Sequence, residues 1–113
     1  RLVRWRQLSL AVTSANGADA DAGVRLPAWA VAAGLVDVVY TTSTWTFASA
    51  EDRQWWGSLW ADRVTSSTLA EQARAYGLAN DAELAELAAG WRHWAATDHA
   101  TFVVLHGEIL ART

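Results

Sequence analysis

Leu2, Trp5, Leu8 and Val12 follow one another at spacings of three and four, which draws one apolar stripe along a helix from near the start of the chain to about Ser14. Residues 15–19, with Asn16, Gly17 and Asp19, read as a loop. Asp19 or Asp21 stands where it can cap a second helix whose stripe is Leu26, Trp29, Ala30 and Ala33. A proline inside a helix removes a hydrogen bond and clashes one turn back, so the regular part of that helix is expected to begin at Pro27. Gly34 supplies its left-handed stop. From 37 to 47 the period changes to two, with Val39, Thr41, Ser43 and Trp45 on one face and Val38, Tyr40, Thr42 and Thr44 on the other: a strand of mixed polarity.

Ser49, followed three residues later by Asp52, marks a new helix start, and Trp55, Trp56, Leu59, Trp60 and Val64 draw its apolar face. The hydroxyl run Thr65, Ser66, Ser67 and Thr68 is expected to bend or break this helix, after which Leu69, Ala70, Ala73 and Tyr76 carry the helical period on to Gly77. Asn80 with Glu83 opens a further helix with the clearest stripe of all, Leu84, Leu87, Ala88, Trp91 and Trp94. Residues 101–112 read as a strand with Phe102, Val104 and Leu110 on one side and Val103, Leu105 and Ile109 on the other. A strand apolar on both faces is expected in the middle of a sheet with helices above and below. Only one other strand is visible, and two strands cannot cover both of their own faces. The remaining strands are expected upstream of Arg1, and a chain of 113 residues without a methionine is expected to be a segment of a longer protein.

Composition narrows the chemistry. The absence of cysteine removes disulfides, thiolate metal sites and cysteine nucleophiles. The net charge is −3, and the nine basic residues are arginines scattered along the chain, so no basic stripe offers itself to nucleic acid phosphates. No apolar run is long enough to cross a bilayer and no signal-peptide layout opens the chain, which makes a cytoplasmic location the expectation. Eight tryptophans in so short a chain call for a structural or ligand-binding explanation.

His93, His99 and His106 fall in a helix, a loop and a strand without paired metal-ligand spacing, so no metal is expected. His106 reads first as a core histidine with its hydrogen bonds met, and stands out because it sits on a strand expected to be buried, beside Gly107 and Glu108, where a backbone could approach a ligand. Glu51 with Asp52, and Glu83 with Glu86, lie in the first turns of helices, where carboxylates favour the dipole rather than acid–base work. The chain has no nucleophile elbow, no phosphate loop and no dinucleotide fingerprint. Trp55 and Trp56, adjacent on a helix, point about 100 degrees apart, so both cannot sit deepest in one core: either they belong to a broad hydrophobic helix face, the plainer reading, or one lines a pocket or a partner surface.

The stretch from Ala15 to Leu26, with Asn16, Gly17 and Arg25, followed by Ala28, Trp29, Ala30 and Gly34, resembles a signature of class I S-adenosylmethionine-dependent methyltransferases. The likeness extends through Ser43-Thr44-Trp45, through Glu51-Asp52-Arg53 and Trp55-Trp56-Gly57 to Val64, through Ala70 to Ala73, and to the closing Val104-Leu105-His106-Gly107-Glu108. These portions are similar to the C-terminal half of actinobacterial members of the ubiquinone/menaquinone-biosynthesis type. Val24 and Pro27 depart from the usual arginine and leucine at those places.

The resemblance implies an α/β class protein: residues 1–113 would be the C-terminal part of a single Rossmann-like, seven-stranded methyltransferase domain, helices plus the last two, antiparallel strands. Residues 37–47 would be the sixth strand and 101–112 the seventh, inserted between the fifth and sixth. The helices between them would cover the substrate side, with Trp55 and Trp56 in a lid. S-adenosylmethionine would be held mainly by a glycine-rich loop and an acidic residue lying upstream, and none of the residues here would bind it. The partner implied is a small-molecule methyl acceptor, with Asn16, Arg25, Trp55 and Trp56 as substrate-side candidates and His106 as the one candidate general base, since imidazole exchanges protons near neutrality. The competing class is a non-enzymatic α+β binding module that uses the Trp55, Trp56 and Trp60 surface.

Overall fold

Two of the expected caps, Ser49 and Asn80, set helix starts. In the computed structural model, which describes all 113 residues, Ser49 Oγ accepts from the Asp52 amide at 3.0 Å, and Asn80 Oδ1 accepts from the Glu83 amide at 2.9 Å. The helices are α1 (Leu2–Ala15), α2 (Leu26–Ala32), α3 (Ala50–Ser66), α4 (Thr68–Ala75) and α5 (Asp81–Ala96), and a 3₁₀ turn at Ala22–Arg25 precedes α2. Two strands, β1 (Val36–Phe47) and β2 (Phe102–Arg112), complete a mixed helix-and-strand architecture consistent with the α/β class. The chain forms two compact units: residues 1–18 with 47–101, and residues 19–46 with 102–113.

The first unit is helical. The break between α3 and α4 falls inside the hydroxyl run, at Ser67, whose backbone is extended and whose hydroxyl donates to the Arg63 carbonyl. Helices α3 and α5 cross closely because Gly57 has no side chain. A Cβ there would lie 2.7 Å from the Ala95 Cβ and 3.0 Å from the Trp91 carbonyl oxygen. Buried Leu8 and Val12 of α1, Ala61 and Val64 of α3, and Leu84, Leu87 and Trp91 of α5 form the core. At its centre Trp5 meets Trp60 and Trp91 edge to face, with ring centroids 4.8 and 4.9 Å apart, the geometry that the aromatic quadrupole favours.

A buried cation ties the ends of this bundle together. Arg53 donates from Nη1 to the Ala48 carbonyl at 2.7 Å and from Nε to the Ala95 carbonyl at 3.4 Å, so it stands at the negative end of the α5 dipole. At the opposite end of α5, Arg4 of α1 bonds Glu83 at 2.5 Å and the Leu78 carbonyl at 2.9 Å.

In the second unit β1 and β2 pair antiparallel, as the cross-strand contacts of Asp37 with Arg112, Ser43 with Glu108 and Trp45 with His106 require. The 3₁₀ turn and α2 pack on the other face of β2. Gly107 is the reason they can approach: a Cβ there would strike the Tyr40 hydroxyl and come within 2.7 Å of the Gly23 carbonyl oxygen. The backbone that approaches Gly107 is therefore that of Gly23. Four expectations are corrected here. Helix α2 starts at Leu26 rather than Pro27, and Asp21 precedes the 3₁₀ turn without a side-chain capping bond. Only Ala30 of the proposed α2 stripe is fully buried, because a helix of seven residues makes a single line of contact; Trp29 and Ala33 are exposed. Nor is β2 covered on both faces: Val103, Leu105 and Leu110 are 56, 68 and 77% exposed, since a ribbon of two strands with one short helix has nothing further to lay over them.

Candidate functional site

The open face of the ribbon carries the first cluster. Strand pairing sets Ser43 and Trp45 of β1 opposite Glu108 and His106 of β2 on one face, since residues two apart in a strand point the same way. The Ser43 hydroxyl donates to the Glu108 carboxylate. The imidazole of His106 lies 4.3 Å from the Trp45 ring, centroid to centroid, at an interplanar angle of 57°. His106 is half-buried; its Nδ1 is sealed from solvent and makes no hydrogen bond, while Trp45 is 57% exposed. An indole, an imidazole and a carboxylate on one accessible face can recognise a ligand and exchange a proton with it.

The second cluster belongs to the helical unit. Trp56 is 7% exposed and Trp55 61%, as their 100-degree separation on a helix requires. Phe47, the last residue of β1, joins them: it stacks on Trp56 at 4.2 Å and 13°, and on Trp55 at 6.1 Å and 21°. The result is a run of near-parallel rings ending in an exposed indole whose orientation is fixed from behind.

The remaining sequence-selected residues are engaged locally. The Asn16 amide donates to Gln72 at 2.9 Å and accepts from the Tyr76 hydroxyl at 2.6 Å, which fastens the end of α1 to α4. Arg25 pairs with Asp19 at 2.8 Å and donates to the Asp21 carbonyl, bracing the 3₁₀ turn. Within the helical unit the structure brings Trp55 and Trp56 together, at 6.0 Å between rings, and occupies Asn16 elsewhere. Within the ribbon unit it ties Arg25 to the acidic loop rather than to His106. Sequence reasoning overlooked Phe47 as a stacking partner and Trp45 as the neighbour of His106. The antiparallel register would have revealed the second, because 45 and 106 add to the same total as 43 and 108.

No group of three or more histidine, cysteine or acidic side chains is placed to hold a metal ion, and no helix is long and apolar enough to cross a membrane. No protein-family model matches the chain, and no characterised protein or solved structure is significantly similar to it. Neither strand runs into a glycine-rich turn and a helix: β1 passes through Ala48 directly to the Ser49 cap.

Proposed function

We propose that this chain is the substrate-side, C-terminal part of an S-adenosylmethionine-dependent methyltransferase acting on a small-molecule acceptor. The observation that carries the reading is the pairing of β1 with β2, antiparallel, across the intervening α3, α4 and α5, which is the arrangement that the resemblance requires of the last two strands of such a domain. The exposed apolar side chains of β2 agree with it, since Val103, Leu105 and Leu110 are suited to a strand with neighbours on more than one side. Trp55, held against Phe47, serves in this reading as a wall for the acceptor, and positioning in a dry pocket would supply most of the rate. Cofactor binding is assigned to residues outside this chain.

The test compares two polypeptides by calorimetry and methyl-transfer assay. The 113-residue chain is expected to bind S-adenosylmethionine with no measurable affinity, and a chain extended through the coding sequence preceding Arg1 is expected to bind it in the micromolar range. A micromolar dissociation constant for the short chain, or an upstream sequence without a strand and glycine-rich loop, would overturn the reading. In that event the exposure of Trp55 favours the competing role, a binding module.

A further inference from the structure

We infer that Asn16 is a modification site, whose side-chain amide is converted to an acid by attack from the backbone of Gly17, at a rate set by the clasp that Gln72 and Tyr76 place on it. The inference is independent of the methyl-transfer reading.

Asn16 and Asn80 are the two asparagines of the chain, and only Asn16 precedes a glycine. An asparagine side chain closes a five-membered ring when the amide nitrogen of the next residue attacks its Cγ, and a side chain on that next residue hinders the approach. Glycine has none. Asn16 and Gly17 are both exposed where the chain leaves α1, and the space that a Cβ of Gly17 would occupy is open. The chemistry balances with water as the only co-reactant. The Gly17 nitrogen bonds to Cγ, its proton leaves with the side-chain nitrogen as ammonia, and water opens the resulting succinimide. Opening at Cγ leaves aspartate; opening at the main-chain carbonyl carbon of Asn16 leaves isoaspartate, with the chain rerouted through Cβ and Cγ.

The fold restrains this reaction at three points. Asn16 Nδ2 donates to Gln72 Oε1 at 2.9 Å, and Asn16 Oδ1 accepts from the Tyr76 hydroxyl at 2.6 Å, so α4 holds the side chain. The backbone of Asn16, with φ −80° and ψ 0°, turns the Gly17 nitrogen away from Cβ, and that nitrogen donates to the Ser14 carbonyl at 3.0 Å. Attack therefore needs a local opening at the end of α1, the kind of event that helix ends undergo without global unfolding. The product cannot restore the first of these bonds, because a carboxylate has no N–H to offer Gln72 Oε1.

The experiment incubates the chain, and a peptide of residues 11–20, at mildly alkaline pH and follows position 16 by peptide mapping that resolves aspartate from isoaspartate. The chain is expected to yield both acids at position 16, more slowly than the peptide, and none at Asn80, which Asp81 follows. Tyr76→Phe and Gln72→Leu are each expected to speed conversion about fivefold, the factor that one ordinary hydrogen bond is worth, with the amide spectrum of the helical unit conserved. Gln72→Glu keeps an acceptor for Asn16 Nδ2 and is expected to convert at the wild-type rate. Equal rates for chain and peptide overturn the inference. So does a chain that keeps its amide after the peptide has fully converted, and so do Tyr76→Phe and Gln72→Leu variants that convert no faster than the wild type.

Discussion

At Gly57 the missing side chain does structural work that no other residue could do. Alanine there would gain up to about 1 kcal/mol of helix propensity. The new methyl, however, would press on the Ala95 side chain at 2.7 Å and on the Trp91 carbonyl at 3.0 Å, and backbone cannot step aside as a flexible side chain does. Overpacking of this kind costs about 1–3 kcal/mol. Gly57→Ala is therefore expected to lower the denaturant midpoint, and Gly57→Val to lower it further. The glycine of the Trp-Trp-Gly run is in this way explained by a helix crossing, without appeal to a ligand. Glu83 offers a different single-residue test. Its bond from Arg4 holds the carboxyl below its ordinary value of 4.5, so the folded chain keeps the proton off more readily than the unfolded one. The stabilisation from this pair is present above that ordinary value and is lost as pH falls through the depressed one. A thermal melt series from neutral to acid pH should show a steeper loss for the wild type than for Glu83→Gln, which has no charge to lose; superimposable slopes would refute the pairing.

Among the elements, the starts of α3 and α5 were plainly written, and the start of α2 and the coverage of the sheet were not. Ser49 and Asn80 each offer a side-chain oxygen three residues before an amide that has no partner inside its helix, a local event that needs no knowledge of the rest of the chain. The division of labour between Trp55 and Trp56 was equally local, since helix geometry alone separates them. Burial of β2 depends instead on what lies across from it. Phe102 and Val104 are half-buried on one face, Gly107 and Ile109 on the other, and the change of face coincides with the glycine over which the 3₁₀ turn passes. Alternation in the sequence could not report that switch, because it is made by Gly23, more than eighty residues away. Of the candidate site, His106 and the tryptophan pair were found from residue type and spacing, whereas Trp45 and Phe47 gained their roles only through strand register and stacking.

For the molecule as a whole, the ribbon's uncovered apolar side chains govern behaviour in solution. Long strands with free edges and exposed Leu105 and Leu110 invite association between chains. Sedimentation of the 113-residue chain is expected to shift to larger species as concentration rises, and Leu105→Lys with Leu110→Lys is expected to keep it monomeric; a wild type that stays monomeric at every concentration would show that these side chains are not sticky. Both units are also discontinuous in sequence, so the ribbon cannot form until its last eleven residues arrive, and its two strands meet only after α3, α4 and α5 have been made. The crowded indoles of the helical unit have an optical consequence. Trp5, Trp60 and Trp91 lie within 6.1 Å of one another, the first nearly perpendicular to the other two, so their electronic transitions mix rather than act singly. Circular dichroism of this protein will therefore carry an exciton signature superimposed on the helical bands, and the loss of the part that Trp5 contributes will report the departure of α1 from Trp60 and Trp91.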